Sequence, residues 1–269
     1  MSDRTVTTIQ FNPVEEALCR SRVYQLLSEA FLYPQEELFA SLESGEFLGE
    51  LKEAIAGLPG SLEGLKEATL ALGEVLGWLE GWSLEELQAE HRRIFGHTIS
   101  QECPPYETQY GTENLFQQTH QLGDIAGFYR AFGLETSEKV AERADHLGLE
   151  LEFMGFLAYK EAHARRHPGS TLEQVTVCQE AQRKFLKEHL GRWAPLFTVL
   201  LKKKAREGFY WGLALLLEVF ISYEEHYLGV EPQRLEGDGP SLQSYLKEAH
   251  GCGSGMGSCE NGEGEGKEE

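Results

Sequence analysis

Residues 140–158 read VAERADHLGLELEFMGFLA. Val140, Ala144, Leu147, Leu151, Met154 and Ala158 follow one another at steps of 4, 3, 4, 3 and 4, the recurrence of one face of a 3.6-residue helix. The pattern predicts a helix over residues 139–166, stopped at Pro168-Gly169. The same period extends outward in both directions. Asn12, Pro13 and Glu15 start a helix that Pro34 ends, and apolar residues recur between them at Leu18, Tyr24, Leu27 and Phe31. Further helices are predicted at 36–56 (broken at Ser44-Gly45), at 62–79, and from a Ser83/Glu86 capping box to Phe95. On the C-terminal side they follow at 113–132 with Gly133 as the stop, from a Ser170/Glu173 cap to about residue 190, and at 194–206 and 209–228. Strand patterns are almost absent. The expectation is an all-α chain with a single domain of about nine helices over residues 1–229. After it come a short helix at 241–250 and a Gly-rich, acidic tail expected to be disordered when alone.

Composition narrows the function. In 269 residues there are 24 Lys+Arg against 44 Asp+Glu, a formal charge of −20. A surface this acidic repels phosphate backbones and anionic lipid, so nucleic acid is not an expected partner. The longest apolar stretch, residues 209–223, contains Glu218 and falls short of the roughly 20 residues of a membrane span. No apolar run precedes the first helix, and Cys19, Cys103 and Cys178 are scattered. The expectation is a cytoplasmic protein with reduced thiols. GxGxxG, P-loop, G-x-S-x-G, H-E-x-x-H and paired CxxC patterns are missing from the sequence, so catalysis is not expected.

Three groups of residues carry chemistry. In the helix of the opening quotation, Asp145, Gly148, Glu152, Gly155 and Tyr159 form a second stripe: two carboxylates over a glycine floor that lets another segment approach closely. His146 lies beside it, in line with Glu150 and Phe153. Asp145 suits a cationic side chain and His146 a peptide carbonyl. The plainer reading makes Glu150 and Glu152 a solvated face and gives His146 a structural hydrogen bond. The second group is the aperiodic stretch 96–111, which contains Cys103-Pro104-Pro105-Tyr106-Glu107-Thr108-Gln109-Tyr110. Its tyrosines either grip an extended peptide or pack inward. The third is Cys252 and Cys259 beside His250, a weak metal-site candidate with an imperfect spacing. No Glu-x-x-His pair of a di-iron bundle involves Glu150 or Glu152.

Four segments together resemble the redox-enzyme maturation chaperones, the TorD/DmsD/NarJ group that includes nitrate reductase delta-subunit-like proteins. They are LQAEHRRIFG followed by PPYETQY, QLGDIAGFYRAFGL, RADHLGLELEFMGFL, and FLKEHLGRWAPLF, within residues 87–197. The resemblance implies an all-helical cytoplasmic chaperone with no cofactor of its own. It would bind the N-terminal region, often a twin-arginine signal peptide, of a molybdopterin-containing oxidoreductase catalytic subunit until that subunit's cofactor is inserted. It implies a peptide site with Asp145 and His146, lined by Tyr106, Glu107 and Tyr110, with Leu87 and Phe95 below. Glu152 and Phe153 join this set from the helix stripe. Two guanidinium groups followed by an apolar segment complement an acidic, aromatic groove. The tyrosine loop and residues 121–134 lean toward chaperones for enzymes of the dimethyl-sulfoxide-reductase type. Thr108 stands where many members have serine, and the cysteine-containing tail is not a family hallmark. Family members also form swapped dimers, so monomer and swapped dimer both stand, with residues 133–137 as the exchange point. The alternative is a metal-binding or structural helical subunit that uses the Cys252/Cys259 tail.

Overall fold

The computed structural model describes residues 12–60, 62–77, 79–96, 102–111, 115–136 and 142–236. Among them are ten α-helices: α1 Pro13–Phe31, α2 Glu36–Ser44, α3 Glu46–Ala56, α4 Glu63–Gly77, α5 Leu84–Phe95, α6 Leu115–Ala131, α7 Leu147–Arg166, α8 Leu172–Glu188, α9 Leu190–Ala205 and α10 Phe209–Leu228. One short 3-10 turn, Glu107–Gln109, lies between α5 and α6. The described residues contain a single isolated β-bridge, between Tyr106 and His146. The predicted break at Ser44-Gly45 is a full separation of α2 from α3, because Gly45 takes the left-handed conformation at φ +77°. None of the described helices is long and apolar enough to cross a membrane.

The most extensive contact is α1 against α7. The glycine floor read from the sequence makes it possible. A Cβ on Gly155 would stand 3.1 Å from Tyr24 Cβ, and one on Gly148 would stand 2.8 Å from Leu32 Cγ. Ser21 Oγ donates across the same crossing to the Gly155 carbonyl at 2.8 Å. Helices α9 and α10 complete the core around Trp193, Phe197, Leu213 and Phe220, all buried.

A buried polar hub ties four helices together. Arg20 on α1 donates to Glu224 on α10 through Nε at 2.7 Å and Nη2 at 2.5 Å, and to Gln182 on α8 at 2.7 Å. Glu161 on α7 lies 3.6 Å from Arg20 Nη1, and the Tyr227 ring lies 4.3 Å beneath the guanidinium carbon.

Three boundaries depart from the periodicity. Helix α7 begins at Leu147, eight residues later than the apolar spacing predicts, so Asp145 and His146 precede the helix. Residues 142–146 are non-helical and 137–141 lie outside the described residues. The α8 cap is Thr171 with Gln174, one residue beyond the Ser170/Glu173 expectation. Helix α9 starts at Leu190, not at 194, so Pro195 sits inside it.

Residues 230–236 run back over α9. Leu235 N donates to the Arg192 carbonyl at 2.9 Å, and a Cβ on Gly191 would meet Pro232 at 2.6 Å. The expected helix at 241–250 and the tail with His250, Cys252 and Cys259 lie outside the described residues.

Candidate functional site

The proline-tyrosine loop and the residues before α7 are one unit. Glu107 N donates to the Asp145 carbonyl at 2.9 Å and Leu147 N to the Pro105 carbonyl at 2.8 Å. This bridge holds Tyr106 against His146, ring to ring at 5.1 Å and 76°. Asp145 is 0% exposed. Its Oδ2 accepts from Thr108 N at 3.1 Å, Thr108 Oγ1 at 2.7 Å and Arg143 Nη2 at 2.6 Å, and its Oδ1 accepts from Arg143 Nε at 3.0 Å. Charge-assisted bonds in this number lock the loop. Arg143 also lies over the Tyr106 ring, 4.8 Å from its centroid, and the Tyr106 hydroxyl donates to Glu142 at 2.5 Å.

His146 is the N-cap of α7. Its Nδ1 accepts from Gly148 N at 3.0 Å, the structural hydrogen bond of the plainer reading. Burial, helped by the nearby His91, pushes its pKa down to about 3, so the ring is neutral and works as a cap.

The sequence reading of Glu150 is overturned. It is fully buried rather than solvated, because α7 packs on its neighbours around most of its circumference. Trp193 Nε1 donates to its Oε2 at 3.0 Å, and its Oε1 meets no N–H donor. Burial, then the charge of Glu107 hydrogen-bonded to it, raises the Glu150 pKa well above the carboxylate range. The protonated, neutral form of Glu150 is therefore the favoured one. Glu107, also buried, accepts from Gln121 Nε2 at 2.5 Å and lies 3.2 Å from His189 Nδ1.

Of the other predicted residues, Tyr110 packs inward. It stacks on Trp193 at 5.2 Å and 30°, and its hydroxyl donates to the Pro104 carbonyl at 2.8 Å. Leu87 and Phe95 lie in the core, with Phe95 against Phe197 and Tyr210. Phe153 is buried among Tyr129, Phe132 and Phe185. Glu152 faces outward beside it, on the wall of a separate pocket of about 190 Å³ with Leu134 and Phe156. Burial raises its pKa. The structure thus unites Tyr106, Glu107, Tyr110, Asp145 and His146, and sets Glu152 and Phe153 on a neighbouring face. Sequence reasoning gave no role to Arg143, Glu142, Gln121, Asp124, His189 or Trp193. His189 and Trp193 fall within the quoted segment FLKEHLGRWAPLF, the one signal that pointed to them. Among the described residues no three His, Cys, Asp or Glu side chains are placed to hold a metal ion.

The family described as "Nitrate reductase delta subunit" matches residues 59–199, a span that holds the loop, the His146 cap, Glu150 and His189. The chain belongs to the nitrate reductase delta subunit family. Its relatives within the reach of that family include the "Perchlorate reductase assembly chaperone protein" of Dechloromonas aromatica (strain RCB), 31% identical over 213 residues, 77% of this chain and 89% of that protein. The "Chaperone protein TorD" of Vibrio parahaemolyticus serotype O3:K6 (strain RIMD 2210633) is 29% identical over 184 residues, 66% of this chain and 81% of that one. The TorD of Aliivibrio salmonicida (strain LFI1238) is 26% identical over 216 residues, 79% and 95% of the two chains. In this family member the loop and the α7 cap are one hydrogen-bonded unit, with Glu107, Tyr110, Asp145 and His146 buried and Tyr106 half-buried.

Proposed function

We propose that the chain is a cytoplasmic assembly chaperone. It binds the N-terminal, twin-arginine region of the catalytic subunit of a molybdopterin-containing oxidoreductase and holds that subunit until its cofactor is in place. The carrying observation is the likeness to the perchlorate reductase assembly chaperone along 89% of that protein. The geometry is compatible in charge and shape. The exposed Glu152 and the half-buried Tyr106, beside the loop that the Asp145 bonds fix, suit a peptide with basic residues followed by an apolar run. In this reading Tyr106 and Glu152 touch the peptide. Asp145, His146, Glu107, Tyr110, Leu87, Phe95 and Phe153, buried in the free chain, hold that surface in shape.

The test is affinity capture with the tagged full-length chain in its native host, with mass spectrometry and metal analysis of what is captured. The expected catch is an oxidoreductase catalytic subunit that still carries its N-terminal segment and lacks molybdenum. Recovery of a mature holoenzyme alone, or of no oxidoreductase, contradicts the proposal.

A further inference from the structure

Helix α7 is covered by α1 and by α8, and one narrow stripe of it is left facing out. Glu152, Phe156, Tyr159, His163 and Arg166 follow one another at steps of 4, 3, 4 and 3, so they share that stripe. None of them is buried, and Tyr159 is 49% exposed. A cleft opens at each end of the stripe. The first is the pocket of about 190 Å³ beside Glu152, on the flank toward residues 134–136. The second, of about 330 Å³, lies on the other flank, between α7 and Val14 and Leu18 of α1.

Charge is segregated along the stripe. Glu135 and Glu152 stand at the first cleft. Burial raises the Glu152 pKa, and no ion pair with a described residue offsets that burial. At the second cleft the charged lining is His163, Arg166 and His167, with no carboxylate, in a chain of net charge −20. Between the ends the stripe is aromatic, and Lys160 sits at its edge, 6.0 Å over the Phe156 ring. Basic residues in the last turn of a helix complement its dipole. That accounts for Arg166, but not for the acidic and aromatic first half or for either cleft.

Glu152 and Arg166 are 14 positions apart, which is about 21 Å at the helical rise of 1.5 Å per residue. An extended chain covers that length in about six residues. It also sends alternate side chains to opposite sides, as two clefts on opposite flanks require. Basic residues are drawn to the Glu135 and Glu152 end and repelled from the Arg166 end, which fixes the direction.

We propose that this stripe is the track for the N-terminal segment of the catalytic subunit. The segment lies extended along α7, its basic residues at Glu135 and Glu152 and its apolar run over Phe156 and Tyr159 into the two clefts. The proposal rests on the peptide-binding reading above and adds to it the path and direction of the segment.

The test is calorimetric titration of the full-length chain with a synthetic peptide of two arginines followed by a leucine–alanine run. Glu152→Lys and Tyr159→Ser, both at exposed side chains, are each expected to weaken binding about tenfold. Glu67→Lys, the same charge change on the exposed face of α4, is expected to leave the affinity in place, and Arg166→Glu to keep or tighten it. Wild-type affinity in either Glu152→Lys or Tyr159→Ser, or an equal loss in Glu67→Lys, overturns the track and leaves the peptide reading standing. Weaker binding in Arg166→Glu overturns the direction. No binding of the peptide to the wild-type chain contradicts the peptide reading itself.

Discussion

Asp145→Asn separates a structural anchor from a peptide contact. The wild-type carboxylate is fully buried and accepts two bonds from Thr108 and two from Arg143. Asparagine keeps one acceptor oxygen and turns an NH₂ group toward donors. Each bond to a buried charged acceptor is worth about 1.5–3 kcal/mol. The Arg143 pair is discounted to about 1 kcal/mol because that side chain is 38% exposed. With one Thr108 bond retained, the net loss comes to about 3 kcal/mol, which in a chain of this size lowers Tm by roughly 6–10 °C. Urea unfolding followed by circular dichroism gives the loss directly. A midpoint within about 0.5 kcal/mol of wild type, the scatter of an ordinary surface substitution, would refute the anchor and return Asp145 to the role of direct ligand contact.

Three further outcomes are expected. Arg20→Met leaves Glu161 and Glu224 without their shared cation and should cost about 3–5 kcal/mol; in denaturant titrations, adding Glu224→Met should restore part of it. Gly155→Ala places a methyl 3.1 Å from Tyr24 Cβ and 3.3 Å from the Ser21 carbonyl, and calorimetry should show a loss of about 1–3 kcal/mol as α1 is pushed off α7. The third concerns pH. His146 has a folded pKa of about 3 against 6.5 for the ordinary group, so the unfolded chain binds its proton first. Stability is full above pH 6.5 and falls as pH drops toward 3, by about 2 kcal/mol at pH 5. His91, pushed down to about 4 by burial, acts in the same direction, while Glu150, neutral in the fold, acts oppositely. The clean readout is the difference between wild type and His146→Asn, whose Oδ1 can replace the Gly148 cap: the wild type should lose about 2 kcal/mol more between pH 7.5 and 5. Parallel curves would remove His146 from the acid response.

The helical architecture was legible because apolar residues repeat at the helical period and because Asn12, Ser83 and Gly133 mark real ends. The glycine floor was legible too: Gly148 and Gly155 do admit a neighbouring helix, α1. Periodicity failed where a backbone bridge outweighed it. The spacing from Val140 to Leu147 fits a helix, yet Glu107 N and the Pro105 carbonyl claim the backbone of Asp145 and Leu147, and a contact 40 residues away in sequence leaves no local trace. Glu150 was misread for a related reason. A carboxylate on a polar stripe reads as solvated unless one knows that Trp193 and Glu107 cover it from other segments. The Tyr106–Tyr110 loop and Asp145-His146 were found as separate candidates. That they form one bonded unit, with His189 and Asp124 on its flank, is tertiary information.

The most direct test of the account is calorimetric titration of the full-length chain with the N-terminal peptide of the catalytic subunit it captures, alongside the same peptide with both arginines replaced by glutamine. The account predicts one-to-one binding to the native peptide and at least a tenfold weaker response, about 1.4 kcal/mol, to the substituted one. Equal affinity for the two peptides, or no heat with either, would contradict it.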